Sequence, residues 1–175
     1  SDVKSAAIVK VQLTPGGPKF VTHYVDFPGK LSPDLKIQQR VADWTARFGK
    51  EYCIEKHAAE NCMQEVLGKT QVDLMGEELM IRRFETNLGD LLADTAKTSF
   101  LQQGAQIAFL NSGGMRLNYN IPAGPISRTH VDSLFAFPTP LSLIKITGAQ
   151  LQTVVDHAIT DWTGNGRWLQ ISGFS

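Results

Sequence analysis

The sequence predicts an α/β fold of the α+β kind, with short strands packed against helices. Three observations carry this. Runs rich in β-branched and aromatic residues recur, as in AAIVKVQL (6–13), KFVTHYVDF (19–27), AQIAFL (105–110), LSLIKIT (141–147) and WLQISGF (168–174). Between them lie segments with apolar residues at helical spacing. Glycine and proline clusters such as TPGGP (14–18), NYNIPAGPIS (118–127) and TGNGRW (163–168) punctuate the two.

Taken in order, the first two runs and TPGGP read as strand, turn and strand. SPDLKIQQRVADWTARFGKEY then opens a helix, with Ser32 as N-cap and Pro33 at the first helical position. Ile37, Val41, Trp44 and Phe48 fall at i, i+4, i+7 and i+11 and form one apolar face. A second helix is expected over about 87–101, with Leu88, Leu91, Leu92 and Thr95 on one side and Thr86 or Asn87 as its cap. AQIAFL and LSLIKIT are expected strands, and NYNIPAGPIS a loop broken by Pro122, Gly124 and Pro125. A third helix follows Thr147, with Leu151, Val154, Val155, Ala158, Ile159 and Trp162 as its buried stripe. The chain closes on a strand, and a domain of this class ordinarily completes its sheet. A piece of a larger protein is therefore expected.

Composition narrows the function. In 175 residues, Lys+Arg and Asp+Glu both number 17, which speaks against a nucleic-acid-binding module, since that needs a cationic surface. A small anionic ligand held by one or two local arginines is compatible. No apolar run reaches the length of a membrane span. The two cysteines, Cys53 and Cys62, would lie roughly 13 Å apart on a continuous helix at 1.5 Å per residue. A disulfide between them therefore requires the helix to break, and it would fit an exported protein. Two free thiols, or a zinc site that adds His57, are the alternatives. GKT at 68–70 is no P-loop, because position 63 is Met where that pattern needs Gly. The histidines are scattered and there is no Gly-x-Ser-x-Gly elbow, so the residues offer no catalytic machinery.

NSGGMR (111–116) stands out directly behind a buried strand. Two adjacent glycines imply unusual backbone angles or the close approach of another group. Asn111 and Arg116, at its ends, are a hydrogen-bonding pair suited to a ligand.

Three segments in order, IRRFETNLGDLLADT (81–95), FLNSGGMR (109–116) and SLFAFPTPLSLIKITGAQL (133–151), together with the final ISGF, resemble the C-terminal domain of the 5'-nucleotidase family. That family includes 5'-nucleotidases, UDP-sugar hydrolases, 2',3'-cyclic-nucleotide phosphodiesterases and NAD nucleotidases. The resemblance covers about residues 66–175. It implies three regions: 1–30 as terminal strands of a preceding metallophosphatase domain, 31–65 as a linker helix with the cysteine loop, and 66–175 as part of the C-terminal domain.

It also implies that this chain is the substrate-recognition part of a metal-dependent hydrolase of nucleotide phosphoric esters, periplasmic, secreted or on the cell surface. By position, Arg82 matches an arginine on the phosphate or ribose side. Asn111 matches a base- or ribose-contacting Asn, with Gly113 beside it, and Arg116 a phosphate- or ribose-contacting Arg. Phe137 matches one of two aromatics that sandwich the base, and Thr139 stands where many members place an Asn. An arginine offers a planar fork to phosphate or ribose oxygens, and an aromatic face stacks on any base for about 1–3 kcal/mol. The glycines would clear space beside the nucleotide.

No cofactor is expected on this chain. Two divalent metals of the Mn, Zn, Mg or Ca type belong, by the resemblance, to an N-terminal domain whose D-x-H, N-H-E and paired-His signatures do not occur here. The expected partners are a nucleotide or nucleoside and that domain, and this chain alone is expected to be inactive. There are departures. Glu78 stands where many members have another Arg and would repel a phosphate, AF replaces PF, and the second stacking aromatic lies beyond SGF. Competing readings are a thiosulfohydrolase relative, which would need no stacking Phe137, and a non-catalytic module that captures nucleosides or a protein.

Overall fold

The computed structural model describes residues 5–27, 32–56, 58–138, 140–160 and 164–174. The chain divides into two compact units, Ser1–Glu51 and Tyr52–Ser175. In the first, strands β1 (Ser5–Thr14) and β2 (Gly17–Asp26) form an antiparallel hairpin. Its two-residue turn is Pro15-Gly16, and Gly17 adopts the left-handed φ of 104° that its lack of a Cβ allows. Helix α1 (Leu35–Glu55) begins in this unit and runs on to Glu55.

Asp34, not Ser32, caps α1. Its carboxylate accepts the amides of Lys36 at 2.8 Å and Ile37 at 3.1 Å, and its carbonyl takes Gln38. An anion at a helix start also suits the dipole. The expected face of Ile37, Val41, Trp44 and Phe48 is exposed, as are Ile8, Val9, Phe20 and Val21 on both faces of the hairpin.

In the second unit α1 ends at Glu55 and the chain turns back, so that Cys53 and Cys62 are bonded as the helix-break argument required. Strand β3 (Val66–Thr70) follows. Then come the single helical turn α2 (Glu78–Ile81), helix α3 (Asn87–Ser99), strand β4 (Ala108–Asn111) and strand β5 (Gly124–Ser127). Helices α4 (Arg128–Leu134) and α5 (Gly148–Ile159) and strand β6 (Leu169–Ser172) complete the described elements. β3 pairs antiparallel with β5, and β4 with β6. Leu74, Ile81, Leu88, Met115, Ile121 and Leu134 form the core between these pairs and the helices. The α/β class read from the sequence holds.

Several local expectations change. Part of the expected loop NYNIPAGPIS is β5, with Pro125 opposite Lys69. In a two-stranded pair every residue is at an edge, where a missing amide is tolerated. LSLIKIT runs between α4 and α5 without joining a ladder among the described residues. The buried face of α3 is Leu88, Gly89, Ala93 and Ala96, whereas Leu91 is exposed, because the small residues let the helix approach β6 closely. Thr86 is its cap, accepting the Gly89 amide at 3.1 Å. Thr147 and Gln150 cap α5 reciprocally. Its stripe is only partly covered: Ala158 is buried and Ile159 is exposed, while Trp162 lies outside the described residues.

The largest surprise is β6. Alternation would bury Leu169 and Ile171 and turn Gln170 and Ser172 to solvent. The polar pair is instead the buried one: Gln170 is 0% exposed and Ser172 6%, both facing α3, and the Ser172 hydroxyl bonds to Asp94, while Leu169 and Ile171 are half-buried. Leu169 and Ile171 line an apolar cleft of about 390 Å³ against α5.

Carboxylates crowd the first turn of α3. Partial burial, then the neighbouring Glu85 and then Asp94, push the Asp90 carboxyl above its ordinary range, against the opposite pull of the helix N-terminus. A raised folded-state value means that the native state holds the proton more tightly than the unfolded chain. The stabilisation is complete below the ordinary aspartate range and is lost as pH rises through the raised value. Asp90→Asn should therefore raise the melting temperature relative to wild type more at pH 7 than at pH 4. An equal difference at both would show that Asp90 is not under this strain.

Candidate functional site

NSGGMR leaves β4 as one 3₁₀ turn, Ser112–Gly114. Facing it is the loop 164–168 that leads into β6. The Ser112 amide bonds to the Trp168 carbonyl at 2.8 Å, the Gly113 amide to the Gly166 carbonyl at 2.9 Å, and the Asn111 side-chain amide to the same carbonyl at 3.3 Å. A Cβ on Gly113 would lie 2.9 Å from the Gly166 Cα and 3.0 Å from its carbonyl oxygen. Close approach does explain that glycine, but the space beside it is filled by protein backbone, where the sequence had suggested a nucleotide. A Cβ on Gly114 would meet nothing nearer than the Asn111 amide oxygen at 3.8 Å.

Asn111 and Gly113, with Asn165, Arg167 and His157, line a shallow open cleft of about 500 Å³. Ser112 beneath them is fully buried, and its hydroxyl finds no hydrogen-bond partner among the described residues.

Arg116 and Phe137 come together: the guanidinium carbon stands 5.9 Å from the ring centroid, within cation–π range. The ring is 59% exposed, an unusual position for a Phe that serves as core. Arg116 is anchored through its amide, which bonds to the Leu134 carbonyl at 2.9 Å at the end of α4. α4 is itself tied to the segment that follows Cys62, since Arg128 bonds to Glu65 at 2.6 Å and the Thr129 hydroxyl to the Met63 carbonyl. Thr139 lies outside the described residues, as does His57.

Arg82 occupies a separate turn between α2 and α3. Its guanidinium is paired with Glu78 at 2.7 Å, one helical turn back, and its Nε is buried without a partner among the described residues. Two ties connect this turn to the rest. The Glu78 amide bonds at 3.1 Å to the side-chain oxygen of Asn118, two residues beyond Arg116, and Asn118 takes a positive φ of 56° there. On the other side, Gln170 and Trp168 of the β6 segment hold the carbonyls flanking Arg82 and Arg83.

Sequence reasoning passed over the loop 164–168. A usable signal was present: TGNGRW repeats the composition of NSGGMR, with two glycines, an asparagine and an arginine. Gln170 had no such signal. A polar residue between Leu169 and Ile171 reads as solvent-facing by default.

The 5'-nucleotidase, C-terminal domain family matches residues 66–175, well over half of the chain. This is an α/β domain, and the chain belongs to the 5'-nucleotidase C-terminal domain family. It is 31% identical over 120 residues to the trifunctional nucleotide phosphoesterase protein YfkN of Bacillus subtilis (strain 168), a match covering 67% of this chain and 8% of that protein. It is 27% identical over 124 residues to the snake venom 5'-nucleotidase of Macrovipera lebetinus, covering 65% of this chain and 30% of that one. The crystal structure of the 5'-nucleotidase precursor from Thermus thermophilus superposes with a TM-score of 0.71 at 26% identity, over 97% of this chain and 32% of that one. The chain thus spans at most about a third of the length of these proteins.

The two glycines of the turn should separate on substitution. Gly113→Ala drives a methyl into the Gly166 backbone and is expected to cost about 1–3 kcal/mol, as overpacking does. Gly114→Ala has open space and should stay within about 0.5 kcal/mol of wild type. Urea midpoints of the two variants compare them directly; equal losses would mean that the approach of Gly113 to Gly166 is not what the turn depends on.

Proposed function

We propose that this chain is the nucleotide-recognition part of a metal-dependent 5'-nucleotidase-type phosphoric ester hydrolase that acts outside the cytoplasm. The observation that carries the reading is the exposed Phe137 ring with the Arg116 guanidinium beside it, on a domain of this family. A nucleotide has one part that each would suit: a flat base for the ring, and ribose or phosphate oxygens for the arginine fork. Asn111 and Gly113 border an open cleft, where an amide can meet a ribose or base edge. Arg82 would add a second cation to the phosphate side.

The division of labour follows the family resemblance, which assigns the metal-binding signatures to an N-terminal domain. Among the described residues, no three His, Cys, Asp or Glu side chains are placed to hold a metal ion. Two divalent ions in an N-terminal domain would supply the activated water, and the residues here bind the nucleotide and orient its phosphate toward that domain. By itself the chain should bind nucleotide without turning it over. Export is supported by the Cys53–Cys62 disulfide and by a relative found in venom. No helix among the described residues is long and apolar enough to cross a membrane.

Glu78 gives this site a particular character. Its carboxylate occupies the Arg82 guanidinium, so a phosphate must displace it or share the cation.

Steady-state AMP hydrolysis by the full-length protein with Mn²⁺ tests the reading. Arg116→Ala and Phe137→Ala should each raise KM about tenfold or more, since a lost stack or charged hydrogen bond is worth roughly 1–3 kcal/mol. Unchanged KM values in both would place the pocket elsewhere. An inactive wild type that still binds AMP would leave a capture module, and one with neither property would point to a different substrate class. In the same assay Glu78→Gln should lower KM about two- to fivefold, the range expected from releasing a partly exposed ion pair; a raised KM would show that Glu78 helps to hold the ligand.

A further inference from the structure

We propose that Gln170 is a positioning residue of the nucleotide site: its buried amide fixes the Arg82 turn against the strand that carries Asn111. The inference rests on the reading above, that these residues contact a nucleotide.

Gln170 is fully buried. Its side-chain NH₂ donates to the carbonyls of Ile81 at 2.8 Å and Phe84 at 2.7 Å. Its side-chain oxygen accepts the amide of Thr86 at 3.1 Å. These three backbone groups bracket Arg82 and Arg83, so one amide holds both ends of the arginine turn and the cap of α3. The Trp168 indole N–H adds a second bond to the Phe84 carbonyl at 3.2 Å. On the strand side, Gln170 lies opposite Leu110 in the β4–β6 ladder, one residue before Asn111. The arginine turn and the strand that enters the NSGG turn are therefore joined through Gln170, with Trp168 beside it as a second tie.

The space for this amide is specific. A Cβ on Gly89 would fall 1.9 Å from the Gln170 side-chain oxygen and 2.3 Å from the adjoining carbon. α3 carries a glycine in its first turn, where glycine disfavours the helix, at the one point where the amide passes. Ile81, Thr86 and Leu88 around it are buried, so water is a poor substitute partner, and the Ile81 carbonyl and the Thr86 amide depend on Gln170. A leucine at 170 would fill much of the volume but leave the Ile81 carbonyl and the Thr86 amide unpaired and the Phe84 carbonyl with only the Trp168 indole. The turn would then relax to find partners and carry Arg82 with it.

The test uses the full-length enzyme, KM and kcat for AMP between pH 5.5 and 8.5, and a melting curve for each variant. Gln170→Leu should raise KM about tenfold with kcat within about twofold at every pH, because binding geometry is lost and the metal chemistry is not. Gln170→Glu is the diagnostic variant. Protonated, it offers one donor and one acceptor, close to the amide; ionised, it turns a charge on the two carbonyls. Its KM relative to wild type should approach one at the acid end and climb toward the alkaline end. The charged groups on the elements packed against β6 and on the turn, namely Glu85, Asp90, Asp94, Arg82 and Arg83, are present in both proteins, so the ratio isolates residue 170. If Gln170→Leu does not accumulate as folded protein, Gln170→Glu at the two pH extremes carries the test alone.

Arg116→Ala runs alongside. If it raises KM while the Gln170 variants match wild type, the positioning role is wrong and the nucleotide site stands. A fall in kcat that tracks melting temperature, with KM and its pH ratio unmoved, likewise overturns the role in favour of a purely structural one. Arg116→Ala and the Gln170 variants all matching wild type would remove the site and the proposal together.

Discussion

The second unit is organised around a buried amide that must be fully bonded. Gln170 sits where the pattern of its strand asks for an outward-facing residue, inside the domain and against backbone. A polar side chain placed there is tolerable only if its partners are complete. Meeting that condition fixes the α2–α3 connection, requires a glycine in the first turn of α3, and sets the distance of that helix from β6. Close approach then selects Ala93 and Ala96 beside Leu88 for the buried face and leaves Leu91 exposed. Specific geometry is obtained from hydrogen bonds of fixed length rather than from interchangeable apolar contacts.

The same logic explains why some of this architecture was legible in the sequence and some was not. The hairpin, the long helix, the capped helices α3 and α5 and the broken helix between the cysteines follow from local chemistry, and each stands close to where the sequence puts it. Missed features depend on what lies across the fold. The burial of Gln170 and Ser172 is set by α3. The strand character of β5 is set by β3, against the advice of its own Gly124 and Pro125. The capping role passes from Ser32 to Asp34 because a carboxylate two residues closer to the helix can reach the free amides. For the candidate site, Arg116 and Phe137 could be named from motif order and do come together. The reason for Gly113 could be framed as close approach, but only the structure identifies Gly166 as the group that approaches.

Two turns of similar composition thus clasp each other. NSGG and the loop 164–168 are joined by backbone bonds, glycine to glycine, and the Asn111 side-chain amide reinforces them. Asn111, Asn165 and Arg167 border the same cleft along this seam. A rigid backbone seam with polar side chains along its rim would suit recognition, since groups that met a ligand there would be held by elements that do not have to move.

The Arg82–Glu78 pair has a consequence of another kind. Because Glu78 stands one helical turn from Arg82, the arginine already carries a tethered carboxylate, present at an effective concentration on the order of millimolar or more. A dissolved anion meets a competitor that dilution cannot remove. Monovalent anions such as chloride or acetate gain little by replacing a carboxylate with its own geometry in place, whereas a phosphate dianion brings more charge and a matching fork. On the proposed reading the pair would act as a threshold. It would keep the cation from binding the small anions abundant in the surroundings, and would leave the site to ligands whose phosphate comes attached to something else the domain can hold.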